Sequence, residues 1–311
     1  MQGWRKRMED SHISDLDKGP NGKLHTFGVF DGHGGKEVAQ FVKQHFTEEL
    51  VNNASFKSGN IKKALPETFL RMDAMLVENP GKIELKKYAQ ISKEEDEVIN
   101  QREKNNKQMD LFKQILGQGK DEEELAMMTG CTAHVCAIDE ANKKIYFANA
   151  GDSRGVLCKN GVAYPMSIDH KPDLDIEKNR IYKADGWVSE GRVKGNLNLS
   201  RSLGDLEYKQ NKRLPAEDQM ITANPDVVVE PLTSDINFII LACDGIWDCM
   251  TNQEICDFVS ERLKKDPKQK LSKIVEEVLD KCLAPDIYTG KSWLYFLLFL
   301  PFFYPFLKLF L

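Results

Sequence analysis

The chain has 311 residues, 41% of them hydrophobic, with a formal net charge of -5 and a pI near 5.8. That length supports one large core, read here as one catalytic domain, and the acidic balance argues against nucleic acid, whose phosphates recruit basic faces. Seven cysteines, an odd number in no C-x-x-C pair and with no signal peptide ahead of them, fit reduced thiols filling a core in the cytosol rather than a disulfide scaffold.

In chain order, "GWRKRMEDSH" comes first. It sets the adjacent carboxylates Glu9 and Asp10 four and five residues past Arg5, where a bent backbone can aim the guanidinium at a phosphate. The same residues alone also fit an exposed charged face. Next, "KLHTFGVF" reads as a strand that ends in Asp31, Gly32, His33, Gly34 and Gly35. A strand end fixed by the core is a rigid mount for a carboxylate, and the glycine behind it turns the chain and leaves its carbonyl open. Asp-Gly by itself is equally a turn signal.

After Gly35 the apolar stripe Val38, Ala39, Phe41, Val42, Phe46 and Leu50 predicts a helix, and Ile61 to Leu76 predicts another. From about 78 to 128 the composition turns to charged and amide residues. That insert reads as a solvated helix or mobile segment, with docking of a partner as the other reading. Strands follow at "TAHVCAI", "KIYFANA", "RGVLCKNGVAYPM", "DVVVEPL" and "NFIILAC", and a helix at Ile274 to Leu283. Asp152 follows one of these runs through an Ala-Gly turn. Asp244 closes "IILACDG", a second apolar strand ending in Asp-Gly, and Asp248 lies four residues on. Asp31, the Gly32 carbonyl and Asp244 are hard oxygen ligands suited to Mg²⁺ or Mn²⁺, while the lack of a Cys/His cluster argues against structural zinc.

Taken together, "RxxxMED", "VFDGHGG", "TGCTA", "ANAGDSR", "DHKP", "LNLSRSLGD" and "LACDGIWD" resemble, in order, the metal-dependent protein serine/threonine phosphatases of type 2C. The resemblance runs from Gln2 to Gly290 and implies an α+β fold, a four-layer α-β-β-α sandwich with two central antiparallel sheets and a two-metal site at one sheet edge. It implies Mg²⁺- or Mn²⁺-dependent hydrolysis of phosphoserine and phosphothreonine in protein substrates by a monomeric enzyme. On that pattern Asp31 bridges both ions, Gly32 ligates one and Asp244 the other, while Glu9 and Asp10 hold metal-bound waters. Arg5 binds the substrate phosphate, His33 is the general acid, and Asp152 with Asp248 forms a weaker third-metal site.

Other phosphatase chemistries fit less well. "CDFVSER", Cys256 to Arg262, has the spacing of a cysteine nucleophile but no glycines to wrap a phosphate, and in a helix its two ends face different ways. No Asp pair carries the hydroxyl residue of an aspartyl-phosphate enzyme, and no G-x-x-x-x-G-K-[ST] is present.

The departures from the family lie at the ends. The strand that precedes the first motif is lacking, which leaves a sheet edge. Past "CLAPDIYTG", where the family has a ligand Asp and a last strand, residues 291–311 are an apolar tail, with no Asp or Glu after Asp286. This tail reads as a retained intron or frameshift product, as a membrane-associating segment over 292–311, or as a buried replacement strand. Its unbroken stretch Trp293 to Leu307 covers about 22 Å as a helix, short of a bilayer core of roughly 30 Å. An impaired relative, binding phosphoproteins or sitting at a membrane without turnover, is the alternative function.

Overall fold

The computed structural model describes residues 7–19, 22–103, 125–283, 297–303 and 306–307, with side chains throughout except at 96–103 and 297–307. Arg5, residues 104–124 of the charged insert, Asp286 and Gly290 lie outside the described residues.

The first sheet holds β1 (Ser11–Lys18), β2 (Leu24–Phe30), β5 (Ala133–Asp139), β6 (Lys144–Ala150) and β12 (Asp226–Pro231), in that spatial order and antiparallel throughout. A second runs β15 (Phe306–Leu307), β14 (Leu297–Phe303), β13 (Ile236–Ala242), β7 (Arg154–Lys159), β8 (Val162–Pro165), also antiparallel. Two small elements complete the list: the hairpin β9 (Val188–Ser189) with β10 (Arg192–Val193), and a sheet ordered β11 (Leu203–Gly204), β4 (Gly130–Cys131), β3 (Gly32–His33).

The period of two in the strands sorts their side chains between layers. On β5, Val135 and Ala137 face α1 (Glu37–Asn52) and α2 (Ile61–Val77), packing with Phe41, Phe46, Leu65 and Phe69. Their neighbours Cys136 and Ile138 join Phe27, Phe147, Leu157 and Ile239 between the two sheets. On β13, Ile240 and Ala242 face the helices Asn252–Lys265 and Leu271–Cys282. Three apolar interfaces therefore separate four layers, in the order α-β-β-α. Because both faces of the central strands are covered, these strands are mostly apolar, without a regular polar alternation.

Each strand and helix expected above forms, and residues 79–103 of the charged segment are helical as well. Strand β1 had no sequence signal: it is an edge strand in which only Ile13 and Leu16 are apolar, and Ile13 alone of these is fully buried. Of the readings of the tail, the replacement strand is the one that forms, since β14 pairs along β13 from Phe238↔Pro301 to Ala242↔Leu297. It runs between the helix Leu271–Cys282 and β2, so a strand with two covered faces needs no polar alternation. Among the described residues no helix is long and apolar enough to cross a membrane.

The cysteine reading needs one correction. None of the seven thiols is in a disulfide; six are buried, but Cys249 is exposed. Cys256 is buried inside the helix Asn252–Lys265, which opens on a capping box made by Thr251 and Glu254. Arg262 leaves the same helix to bond Glu277 at 2.5 Å, which removes any cysteine-nucleophile site there.

Candidate active site

The ends of β2 and β13 and the turn after β6 meet at one mouth of the sandwich. Glu9, Asp31, Gly32, His33, Asp152 and Asp244 line a single polar cleft of about 320 Å³, closed on another side by Asn198 and Leu199. Gly32 is required by close approach: a Cβ there would lie 2.3 Å from the Glu9 carbonyl oxygen, so the N-terminal segment could not cross the Asp-Gly turn.

Burial pushes the Asp31 carboxyl well above its usual range, and Asp10, Asp244 and Asp152 push it further. Asp244 is pushed up to about 7, by burial first and then by Asp152, with Lys171 opposing. Ligand atoms of Asp10, Asp31 and Cys243 lie within 4.8 Å of one another. The Cys243 thiol is no ligand in this state: burial and the surrounding aspartates hold its pKa well above the ordinary value, and it donates to Asp10 Oδ2 at 3.7 Å. This is a set of hard oxygen donors whose mutual repulsion a divalent cation would relieve, so the residues fit Mg²⁺ or Mn²⁺.

Two sequence motifs interlock around Asp152. Arg154 grips Asp169 through two bonds of 2.9 and 2.7 Å, Lys171 forms an ion pair with Asp152, and the Gly151 N–H donates to His170 Nδ1 at 3.2 Å. Burial raises the Asp152 pKa, and Lys171 opposes it. His170 is held in turn by Asp226, 3.2 Å from Nε2. "DHK" thus complements "GDSR" nearly residue by residue.

On the other side, His33 lies 2.6 Å from Asp205 through Nε2. Burial opposes charge on the ring, but Asp205 outweighs it and holds the His33 pKa above its ordinary value.

A sequence model of the family described as Protein phosphatase 2C matches residues 1–86 and 77–288. The chain belongs to the protein phosphatase 2C family. It is 43% identical over 298 residues to "Probable protein phosphatase 2C 21" of Arabidopsis thaliana, across 94% of this chain and 82% of the relative. It is 45% identical over 290 residues to "Probable protein phosphatase 2C 5" of Paramecium tetraurelia, across 93% and 86%. The crystal structure of a phosphatase from a pathogenic strain of Toxoplasma gondii has the same fold, with a TM-score of 0.67 at 23% identity over 96% of this chain and 88% of that one.

Of the residues that the resemblance to protein phosphatase 2C singles out, Glu9, Asp31, Gly32, His33, Asp152 and Asp244 share the cleft. Asp10 stands beside Asp31. Asp248 is exposed and does not line the cleft, although its charge helps to raise Asp244. Arg5 is outside the described residues. Sequence reasoning assigned no role to Thr132, Lys171 or Asp205, all three of which bond directly to cleft residues. Each sits in a quoted motif, "TGCTA", "DHKP" or "LNLSRSLGD", and those motifs were the only available signal.

Proposed function

We infer that this cleft hydrolyses phosphoserine and phosphothreonine in proteins with the help of two Mg²⁺ or Mn²⁺ ions. The chain is a metal-dependent protein serine/threonine phosphatase by family. The observation that carries the assignment of the site is Asp31, a half-buried carboxylate whose strongest neighbours are three other acids, one residue from a glycine and two from a histidine.

In this reading Asp31, the Gly32 carbonyl and Asp244 would hold the cations, Glu9 and Asp10 would reach them through water, and Asp152 with Asp248 would offer a weaker third position. Divalent cations bound there supply acidified water and electrostatic stabilisation of phosphoryl oxygens. The protein's own groups do the rest. Rigid strand ends keep the carboxylates from spreading apart as they repel one another. Lys171 balances Asp152 and keeps the far wall of the cleft from becoming wholly anionic. His33 protonates the departing serine or threonine oxygen, a leaving group of high pKa that needs a proton. Arg5 binds the substrate phosphate through charge-assisted hydrogen bonds. The catalytic domain extends to about residue 290, and its buried thiols, none of them in a disulfide, suit a reducing compartment.

Asp31→Asn tests this reading. Phosphate release from a phosphothreonine peptide in titrated Mn²⁺ should fall by at least about 100-fold, as loss of a ligand and of the charge it supplies predicts, with circular dichroism unchanged. Near-normal turnover would overturn the assignment of Asp31.

A further inference from the structure

The three-stranded sheet joins three distant motifs. Gly32 and His33 pair with Cys131 and Gly130, and these pair with Leu203 and Gly204. This register delivers Asp205, the next residue, to the rear of the His33 ring. Asp205 Oδ2 lies 2.6 Å from His33 Nε2. Asp205 is only 3% exposed and does not line the cleft, whereas His33 does.

We propose that Asp205 is the positioning residue for His33, holding the Nε2 edge of the ring against the small sheet so that Nδ1 is the nitrogen that protonates the leaving oxygen. This rests on the reading of His33 as the acid.

Asp205 is itself held from several sides. Its N–H donates to the Thr129 carbonyl at 2.9 Å, and Ser202 Oγ donates to the same Oδ2 at 2.5 Å. The preceding Gly204 N–H donates to Asp73 Oδ1 at 2.8 Å, and Lys209 Nζ bridges Asp73 Oδ2 at 2.5 Å and the Ser202 carbonyl at 2.7 Å. Asp205 also adopts the left-handed backbone, φ 49°, which a side chain other than glycine enters at a cost. The pair occupies the space above Gly130: a Cβ there would lie 2.3 Å from Asp205 Oδ2 and 2.8 Å from His33 Nε2. Backbone strain and a compulsory glycine are both accommodated at one contact, and that contact faces the ring.

The proton balance follows from the geometry. As a water oxygen forms its bond to phosphorus, the P–O bond to the side chain breaks and its electron pair stays on the serine or threonine oxygen. The His33 Nδ1–H bond breaks, and its proton goes to that oxygen. The ring is left neutral, with Nε2–H still donated to Asp205, and Nδ1 regains a proton from solvent.

Asp205→Asn keeps a residue that tolerates the left-handed backbone, but its amide offers N–H as readily as C=O, so one ring orientation is no longer enforced. The test compares kcat and KM on a phosphothreonine peptide and on p-nitrophenyl phosphate, whose leaving group needs little protonation, at saturating Mn²⁺. Peptide kcat should fall about 10- to 100-fold, the usual cost of losing a group that orients a catalytic one, with KM unchanged and a loss on the aryl phosphate at least about fivefold smaller. In a His33→Gln background the same substitution should change peptide kcat by less than about twofold, because coupled residues are not additive. If Asp205→Asn does not fold, Ser202→Ala, which removes a donor to the same oxygen, should give a smaller loss with the same substrate bias. Selective loss for His33→Gln with equal losses on both substrates for Asp205→Asn, or an additive double variant, would overturn the positioning role alone. Equal losses on both substrates for His33→Gln would instead overturn the acid reading on which it rests.

Discussion

Thr132 holds the Asp31 peptide from both sides. Its hydroxyl accepts the Asp31 N–H at 3.2 Å, and its own N–H donates to the Asp31 carbonyl at 2.9 Å. The same hydroxyl meets Ser153 Oγ at 2.6 Å, next to Asp152, so one side chain links the end of β2 to the turn after β6. Thr132→Val conserves shape and removes the hydroxyl. It leaves the Asp31 N–H and a buried Ser153 hydroxyl short of a partner, a cost of about 1 to 3 kcal/mol. We expect a lower melting temperature and a several-fold rise in the Mn²⁺ concentration for half-maximal activity. If thermal unfolding and the Mn²⁺ titration both match the parent protein, Thr132 does not set the position of Asp31.

The carboxylates of the cleft make cation binding depend on pH. Asp244 carries a pKa pushed up to about 7 by burial and Asp152, and burial with three acidic neighbours holds Asp31 well above the usual range. A raised carboxylate pKa means that the metal-free site is protonated below that value, so a cation must displace protons to bind. Apparent Mn²⁺ affinity, measured by calorimetry, should therefore weaken steadily as pH falls through 7, and binding should release protons to the buffer. Calorimetric enthalpies that do not vary with buffer ionisation enthalpy near pH 7 would contradict the predicted protonation.

These details were unequally legible in the sequence. Asp31 and Asp244 stood out because each ends an apolar run, and an apolar run of that length forms a covered strand whichever partner it finds. Asp205 and His33 are 172 residues apart, and nothing local announces a contact that only the register of the small sheet creates. Strand β1 was illegible for the opposite reason: at a sheet edge its pairing to β2 is carried by backbone, and few of its side chains need to be apolar. For β14, a continuous apolar run matched a membrane segment as well as a strand, and only its place between two covered faces separates the readings.

A buried ion cluster away from the cleft gives a prediction for acid stability. Glu177 is fully buried and accepts from Arg180 at 2.6 Å, from Arg201 at 2.6 Å and from Ser200 at 2.7 Å. Burial opposes its charge, but Arg201 and Arg180 outweigh it and hold its pKa at about 2, against an ordinary 4.5. A lowered carboxylate pKa stabilises fully above the unfolded value and is lost as pH falls through the folded one. The fold should thus weaken between about pH 4.5 and 2, with Glu177 a main contributor. Glu177→Gln takes the carboxylate from Arg180 and one of two from Arg201, which keeps Asp226 at 2.8 Å, so the loss should lie at or below the lower end of the roughly 3 to 5 kcal/mol of a broken buried pair. Urea unfolding at pH 7 and pH 3 should show that the gap between parent and variant narrows at the lower pH. A gap of constant size would mean that the carboxylate charge does not carry the effect.

The tail strand offers the last test, because β13 runs directly into Asp244. Removing residues 291–311 takes away the strand that pairs with β13 from Phe238 to Ala242 and turns β13 into an open edge. Ladder hydrogen bonds contribute about 0.5 to 1.5 kcal/mol each, and loss of the β14 ladder together with its apolar cover should cost several kcal/mol. In a domain of this size, roughly 2 to 4 °C of melting temperature follow each kcal/mol, so a fall on the order of 10 °C is expected. An exposed apolar edge also invites pairing between chains, so the shortened protein should self-associate in size-exclusion chromatography. The mount of Asp244 loosens with its strand, while β2, which leads into Asp31, keeps both of its strand neighbours, β1 and β5. Half-maximal activity should accordingly need several-fold more Mn²⁺, and the site should not collapse outright. Should the shortened chain melt at the parent temperature and saturate at the same Mn²⁺ concentration, residues 297–303 contribute neither to the second sheet nor to the position of Asp244.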